Sequence, residues 1–332
     1  MTGFLQRLER RQVALYLAAI GVGGLLGWWA PATAPVLSST ITPVLGLLLF
    51  ATFVGVPLVD VGRSFRDLRF LGAVLAVNFV AVPVVVFGLS RLVAGDRALL
   101  LGVLLVLLTP CVDYVIVFTG LAGGARDKLL AATPLLMLLQ LLLLPVYLLV
   151  LAGADTTGLI DVAPFAQAFL LLIVLPLAAA AGVQCLARRR PVGRVVENLM
   201  QASMVPLMMI TLAVVVGSQV AAVGSQAAAL VTLVPLYLAF LVIMVGIGVA
   251  AAKLARLDAP EGRALVFGGV TRNSLVVLPL ALALPDSLAL APLAVVTQTL
   301  VELVGMVILV RIVPRLLPRR VPAVVEAGPP KP

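Results

Sequence analysis

Few residues of this chain can do chemistry, and nearly all of them are flanked by apolar sequence. Thr109-Pro110-Cys111-Val112-Asp113-Tyr114-Val115 interrupts the run ALLLGVLLVLLTPCVDYVIVFTGL with a proline, a thiol and a carboxylate. Thr271-Arg272-Asn273-Ser274 interrupts GGVTRNSLVVLPLALALP with a guanidinium, an amide and a hydroxyl. Glu302, with Gln298 one turn before it, and the amides Asn78 and Gln140 complete the set. Proline deletes a backbone hydrogen bond and crowds the preceding turn. A thiol is a soft ligand. A carboxylate at membrane depth can relay a proton or hold a cation. These are chemistries of binding and release rather than of bond breaking. The sequence has no histidine, which excludes HExxH metal chemistry and Ser/His or Cys/His nucleophiles. With no GxSxG elbow and no phosphate-cradling glycine loop, neither an enzyme activity nor a cofactor or resident metal is expected.

The elements that position these residues follow from composition. The chain is 63% hydrophobic and 11% charged over 332 residues, against about 25% charged in ordinary soluble domains. Its apolar runs are continuous rather than alternating, which points to helices and away from a β-barrel. The reading is an all-α polytopic membrane protein with ten transmembrane helices, at 13–30, 39–60, 70–91, 98–120, 129–152, 164–186, 196–217, 227–252, 264–284 and 289–311. With the amino terminus in the cytoplasm, 20 of the 23 Lys and Arg fall on the inner side, only Arg91 and Arg97 lie outside, and Arg272 lies within a span. That bias follows the positive-inside rule. The net charge of +9 therefore reports topology and anionic headgroups, not a nucleic-acid partner. The first span is read as a retained helix ending in interfacial tryptophans, and the Pro-rich tail as disordered. Cys111 and Cys185 fall in different spans and suggest no disulfide framework.

Pro43 in span two and Pro206 in span seven each precede a Leu/Met-rich stretch, 163 residues apart. The same offset carries Pro110 to position 273, so the interruptions of spans four and nine occupy corresponding places in two halves. Five spans per half is an odd number, which makes the expected architecture a five-plus-five inverted repeat with broken, crossing helices four and nine. The expected divisions are a cytoplasmic segment 1–12, a first repeat 13–152, a second, inverted repeat 164–311 and a cytoplasmic tail 312–332. Matching interruptions in inverted halves point to a transporter's binding site. Pro110 and the Gly268-Gly269 pair are the places where the helices are expected to open.

Asp113 and Arg272 have opposite sign and sit one at each interruption. Each costs about 2.5–3.5 kcal/mol at mid-membrane on insertion scales, so each needs a partner or water. They either pair across the crossing, are separated by solute, or form a permanent structural bridge. Glu302 is a proton or cation candidate, against a buried structural hydrogen bond. Asn78 and Gln140 read as contacts between helices or, for Asn78, contact with solute. Asn273 and Ser274 are natural donors to a cavity.

The ten-span layout, NFVAVP in span three, TPCVDYV in span four and TRNSLVVLPLALA in span nine resemble the bile acid/arsenite/riboflavin transporter superfamily over nearly the whole chain. TPCVDYV is similar to the alanine-proline-cysteine segment of arsenical-resistance efflux permeases. That resemblance implies a panel and a core domain, and makes Cys111 the functional cysteine. Two departures bear on coupling. The arsenite permeases have a glutamate after the span-nine asparagines, and RNSLVV has none. The sodium-coupled bile-acid branch has a glutamate ahead of a glutamine-asparagine pair, where this chain has Gly268 and Arg272-Asn273. Losing that carboxylate and gaining a fixed cation speaks against sodium.

The expectation is a secondary transporter exporting arsenite or antimonite, with a proton carried by Asp113 or Glu302. Cys111 would touch the solute, with Thr109, Asp113, Arg272, Asn273, Ser274 and Asn78 around it. The alternative is an organic-anion transporter in which Arg272 meets a carboxylate or sulfonate directly. The expected location is a bacterial inner membrane with both termini cytoplasmic.

Overall fold

The computed structural model describes residues 12–56, 67–112, 114–153, 167, 169–225 and 227–318. Among these residues the chain is helical, and the one isolated β-bridge joins Pro110 and Arg272. The α-helices are α1 (Gln12–Trp29), α2 (Ala34–Gly55), α3 (Leu68–Ala76), α4 (Val82–Ser90), α5 (Arg97–Leu107), α6 (Tyr114–Leu121), α7 (Arg126–Ala152), α8 (Leu175–Arg189), α9 (Pro191–Ser225), α10 (Ala227–Val231), α11 (Leu233–Leu254), α12 (Ala259–Val270), α13 (Ser274–Leu282) and α14 (Leu290–Leu316). Six helical stretches among the described residues are long and apolar enough to cross a membrane: Pro31–Gly55, Leu68–Val93, Arg126–Ala152, Pro191–Ser218, Leu233–Leu254 and Leu290–Leu316. The other expected spans correspond to α1, to α5 with α6, to a π segment Leu170–Val174 with α8, and to α12 with α13.

Two groups of helices emerge from the packing. In one, α9 lies along α1 and α2, and α8 lies against α2 and α9. Gly23 makes that approach possible: a Cβ there would stand 2.4 Å from the Ala213 carbonyl oxygen. Small residues at such crossings let backbones meet where apolar burial gives little drive. In the second group, α14 packs on α5, α11 and α13, and α11 packs on α12. Gly102 of α5 faces the Ala291 carbonyl, 2.6 Å from where a Cβ would lie. The groups meet where α9 touches α14 and α2 touches α13. Outward faces carry exposed Leu142, Val150, Val242 and Val304, and Trp28 and Trp29 stand exposed at the end of α1, as lipid contact requires.

Local sequence decides where helices stop. Pro43, Pro134, Pro145, Pro206 and Pro279 all sit inside continuous helices. Pro83 follows the π segment Val77–Ala81, where the Val82 N–H reaches back to the Val77 carbonyl. The extra residue in that turn gives the proline ring room. At Pro110 the helix does end, because Leu108 closes α5 and residues 109–112 leave the helical conformation. In the second interruption Gly268 and Gly269 remain helical within α12, contrary to expectation, and the break falls at Thr271–Asn273. The reason is packing. A Cβ at Gly269 would lie 2.7 Å from Val77 Cγ1 and one at Gly268 3.2 Å from Leu129 Cδ1, so the glycines admit the π segment and α7 rather than open the helix. Thr271 is extended (φ −85°, ψ 133°), and Asn273 accepts from the Val276 N–H to start α13.

Candidate functional site at the crossing of the interrupted helices

The two interruptions run antiparallel for three residues. The Cys111 N–H donates to the Thr271 carbonyl (3.2 Å), and the Asn273 N–H donates to the Thr109 carbonyl (2.8 Å), about the facing pair Pro110 and Arg272. Pro110 has no N–H to leave unsatisfied, so it suits the centre of this pairing. Thr109 and Thr271 each return a hydroxyl to the carbonyl four residues back, at 2.8 Å in both. The backbone opened in each helix is thus repaired by the other, as burial in an apolar medium demands.

Arg272 is wholly buried. Its Nη2 donates to Asn78 Oδ1 (2.9 Å) and to the carbonyls of Gly268 (3.0 Å) and Gly269 (2.8 Å). Nη1 donates to the Leu107 carbonyl at 3.4 Å, and the guanidinium lies 5.6 Å from the centre of the Phe240 ring. Its Nε has no partner among the described residues. Asp113, expected as the opposite charge, lies outside the described residues. The described carboxylate at the crossing is Glu302 of α14, and it holds the backbone of Arg272 rather than its side chain. Glu302 Oε2 accepts from the Arg272 N–H (2.8 Å) and from Gln298 Nε2, and Oε1 accepts from the Tyr114 hydroxyl (2.6 Å). That hydroxyl also lies 2.9 Å from the Arg272 carbonyl oxygen. Burying a guanidinium and a carboxyl group is tolerable when hydrogen-bond partners surround each of them.

The remaining expected residues divide. Asn78, on the π segment, accepts from Arg272 at Oδ1 and donates from Nδ2 to the Val74 carbonyl. Cys111 is buried at the crossing, whereas Cys185 is exposed on α8. Asn273 spends its Oδ1 on capping α13, and its Nδ2 has no partner among the described residues; neither has the Ser274 hydroxyl or Gln298 Oε1. Ser274 lies in a narrow cleft between the two helical groups. Ile20 of α1 and Leu212, Val215 and Val216 of α9 form one wall, and Leu278 with residues of α14 around Thr299 form the other. The cleft is nearly closed in this structure, with about 10 Å³ of room for a water-sized body. Tyr114 and Phe240 were not singled out by sequence. The signal for Tyr114 was available, since a phenol inside an apolar run must find a partner for its hydroxyl.

Helices with lipid-suited faces, interrupted and cross-bonded around buried charges, define a polytopic membrane protein whose polar centre lies inside the bundle. Residues 42–226, more than half of the chain, match the sodium bile acid symporter family, and the chain belongs to that family. No curated protein matches it. Members of the family are transporters rather than enzymes, so this is a secondary transporter of a dissolved solute.

Proposed function

We propose that the chain moves an organic anion with an apolar body through the cleft between its two helical groups. The lining of that cleft carries the reading: aliphatic side chains cover most of it, and the Ser274 hydroxyl at its α13 end is buried with no partner among the described residues. A carboxylate or sulfonate placed there would receive the Ser274 hydroxyl and face the positive end of α13, while its apolar body met the aliphatic walls. A small inorganic oxyanion would leave those walls without a partner. The proposed drive is a proton carried by Glu302, with Asp113 as the second candidate carrier. The proposed setting is a bacterial inner membrane with both termini cytoplasmic. The proposed frame is ten crossings, with 13–152 and 164–311 as inverted halves. The reciprocal pairing of Thr109 with Asn273 and of Thr271 with Cys111 supports that symmetry.

A second reading, export of As(III) or Sb(III), draws support from Cys111, a buried thiol placed at the crossing itself. Flux of taurocholate and of arsenite in proteoliposomes, for the wild type and Cys111→Ser, decides between them. Taurocholate flux that survives Cys111→Ser, with arsenite flux absent throughout, is the expected result. Arsenite flux that disappears in the variant selects the second reading instead.

A further inference from the structure

We propose that the crossing encloses a monovalent-cation site whose occupant is the protein's own Arg272 guanidinium. The distribution of donors carries this. Four oxygens face the guanidinium, one amide oxygen from Asn78 and three peptide carbonyls from Leu107, Gly268 and Gly269. Three of them converge on the single nitrogen Nη2 at 2.8–3.0 Å, with the Phe240 ring nearby. Neutral oxygen dipoles and an aromatic face are how proteins hold a bare cation.

The placement of those carbonyls explains why a cation is needed. Leu107 is the last residue of α5, and Gly268 and Gly269 lie in the last turn of α12. A helix C-terminus carries about half a negative charge. Here two such ends meet inside the bundle, where water cannot screen them. Their attraction for positive charge exists whether or not a side chain answers it. Carbonyl ends of interrupted helices serve as ion ligands in transporters for the same reason. Arg272 answers it from within, two residues beyond α12. Gly269 lets the π segment come close enough to bring in Asn78, since a Cβ would clash with Val77. Glu302 holds the backbone of Arg272 from another direction and leaves the guanidinium to the oxygens.

A tethered cation does not leave with the solute. A carrier built this way draws nothing from a sodium gradient at this position, and its half-helix ends stay neutralised in every state of the cycle. The inference deepens the proposed transport reading, but its test reads cation binding, so either can fail alone.

The test is thermal unfolding of the purified full chain in detergent, with choline, sodium or millimolar guanidinium as the chloride. The wild type is expected to unfold at one temperature in all three. Arg272→Ala, which vacates the cage, is expected to gain about 2–4 °C, saturably, from guanidinium or sodium over choline at a tenfold excess over Kd. Adding Asn78→Ala to Arg272→Ala should abolish that gain. An Arg272→Ala protein indifferent to the cation overturns the proposal. If Arg272→Ala does not fold, the wild type still decides: saturable stabilisation by sodium that Asn78→Ala removes would mean that the cage takes an exchangeable ion, and the proposal fails.

Discussion

At the scale of single residues, the crossing depends on groups that each satisfy more than one partner. The Tyr114 hydroxyl meets both Glu302 Oε1 and the Arg272 carbonyl. Tyr114→Phe leaves a buried carboxylate oxygen without its donor, at a cost of about 1–3 kcal/mol. The expected outcome is a lowered unfolding temperature in detergent. An unchanged temperature would mean that the hydroxyl is dispensable. Glu302→Gln tests the carboxylate as a proton carrier. An amide cannot take up a proton near neutral pH, so uptake by the variant should no longer respond to a pH gradient imposed across proteoliposomes. A variant that keeps the wild-type response would move the proton role to another group. Of these residues, Glu302, Asn78 and Arg272 stood out in the sequence because polar groups in apolar runs are costly. Which of them touch was not legible there, because contact between residues far apart in sequence depends on how the helices pack.

At the scale of elements, close approach and end-capping decide the architecture. A side chain at Gly102 would strike the Ala291 carbonyl and push α5 away from α14, whereas Gly88 has open space around it. Gly102→Val should lower the unfolding temperature by several degrees through overpacking, worth about 1–3 kcal/mol. Gly88→Ala should be neutral or slightly stabilising. Equal effects of the two would remove close helix approach as the explanation. The N-terminal ends of α3 and α12 are joined to α7 through Lys128, which contacts both Asp67 and Glu261. Asp67 also caps α3 at the Phe70 N–H (3.0 Å). The Lys128 hydrogen bond first, and the Phe70 N–H second, hold the Asp67 carboxyl below its ordinary 3.8. A carboxyl lowered on folding adds stability above its unfolded value and loses it as pH falls through the folded one. Between pH 7 and about pH 5 the contribution of Asp67 should therefore be constant, with loss only below that range. Asp67→Asn should lower stability at pH 7 and converge on the wild type in strong acid, as read from unfolding temperature against pH. Parallel curves over the whole range would contradict this.

For the whole molecule, function depends on two helical groups meeting along a cleft that a solute must open. Ser274 lies on one wall and Leu212, Val215 and Val216 on the other. In a Cys185→Ser background, Ser274→Cys should react with a small methanethiosulfonate, and taurocholate should slow that reaction. A reaction rate unchanged by taurocholate would place the solute elsewhere. The resemblance implied a panel and a core domain, but which helices make up each group was not legible in the residues. The repeat reads along the chain as two consecutive halves, but the group formed by α1, α2, α8 and α9 takes helices from both.

Sequence alone determined that this is a multi-pass helical membrane protein, because so few charges cannot build a surface facing water. It also determined where regular structure is interrupted, to within a few residues, because proline and charge disrupt an apolar helix locally. Only the tertiary structure decided that Arg272 faces carbonyl oxygens and Asn78, and that Glu302 binds its backbone. It also placed the second break at Thr271–Asn273 rather than at the glycines. Those outcomes depend on which surfaces meet in space. A residue's cost in lipid is a property of that residue, whereas its partner is a property of the packed bundle.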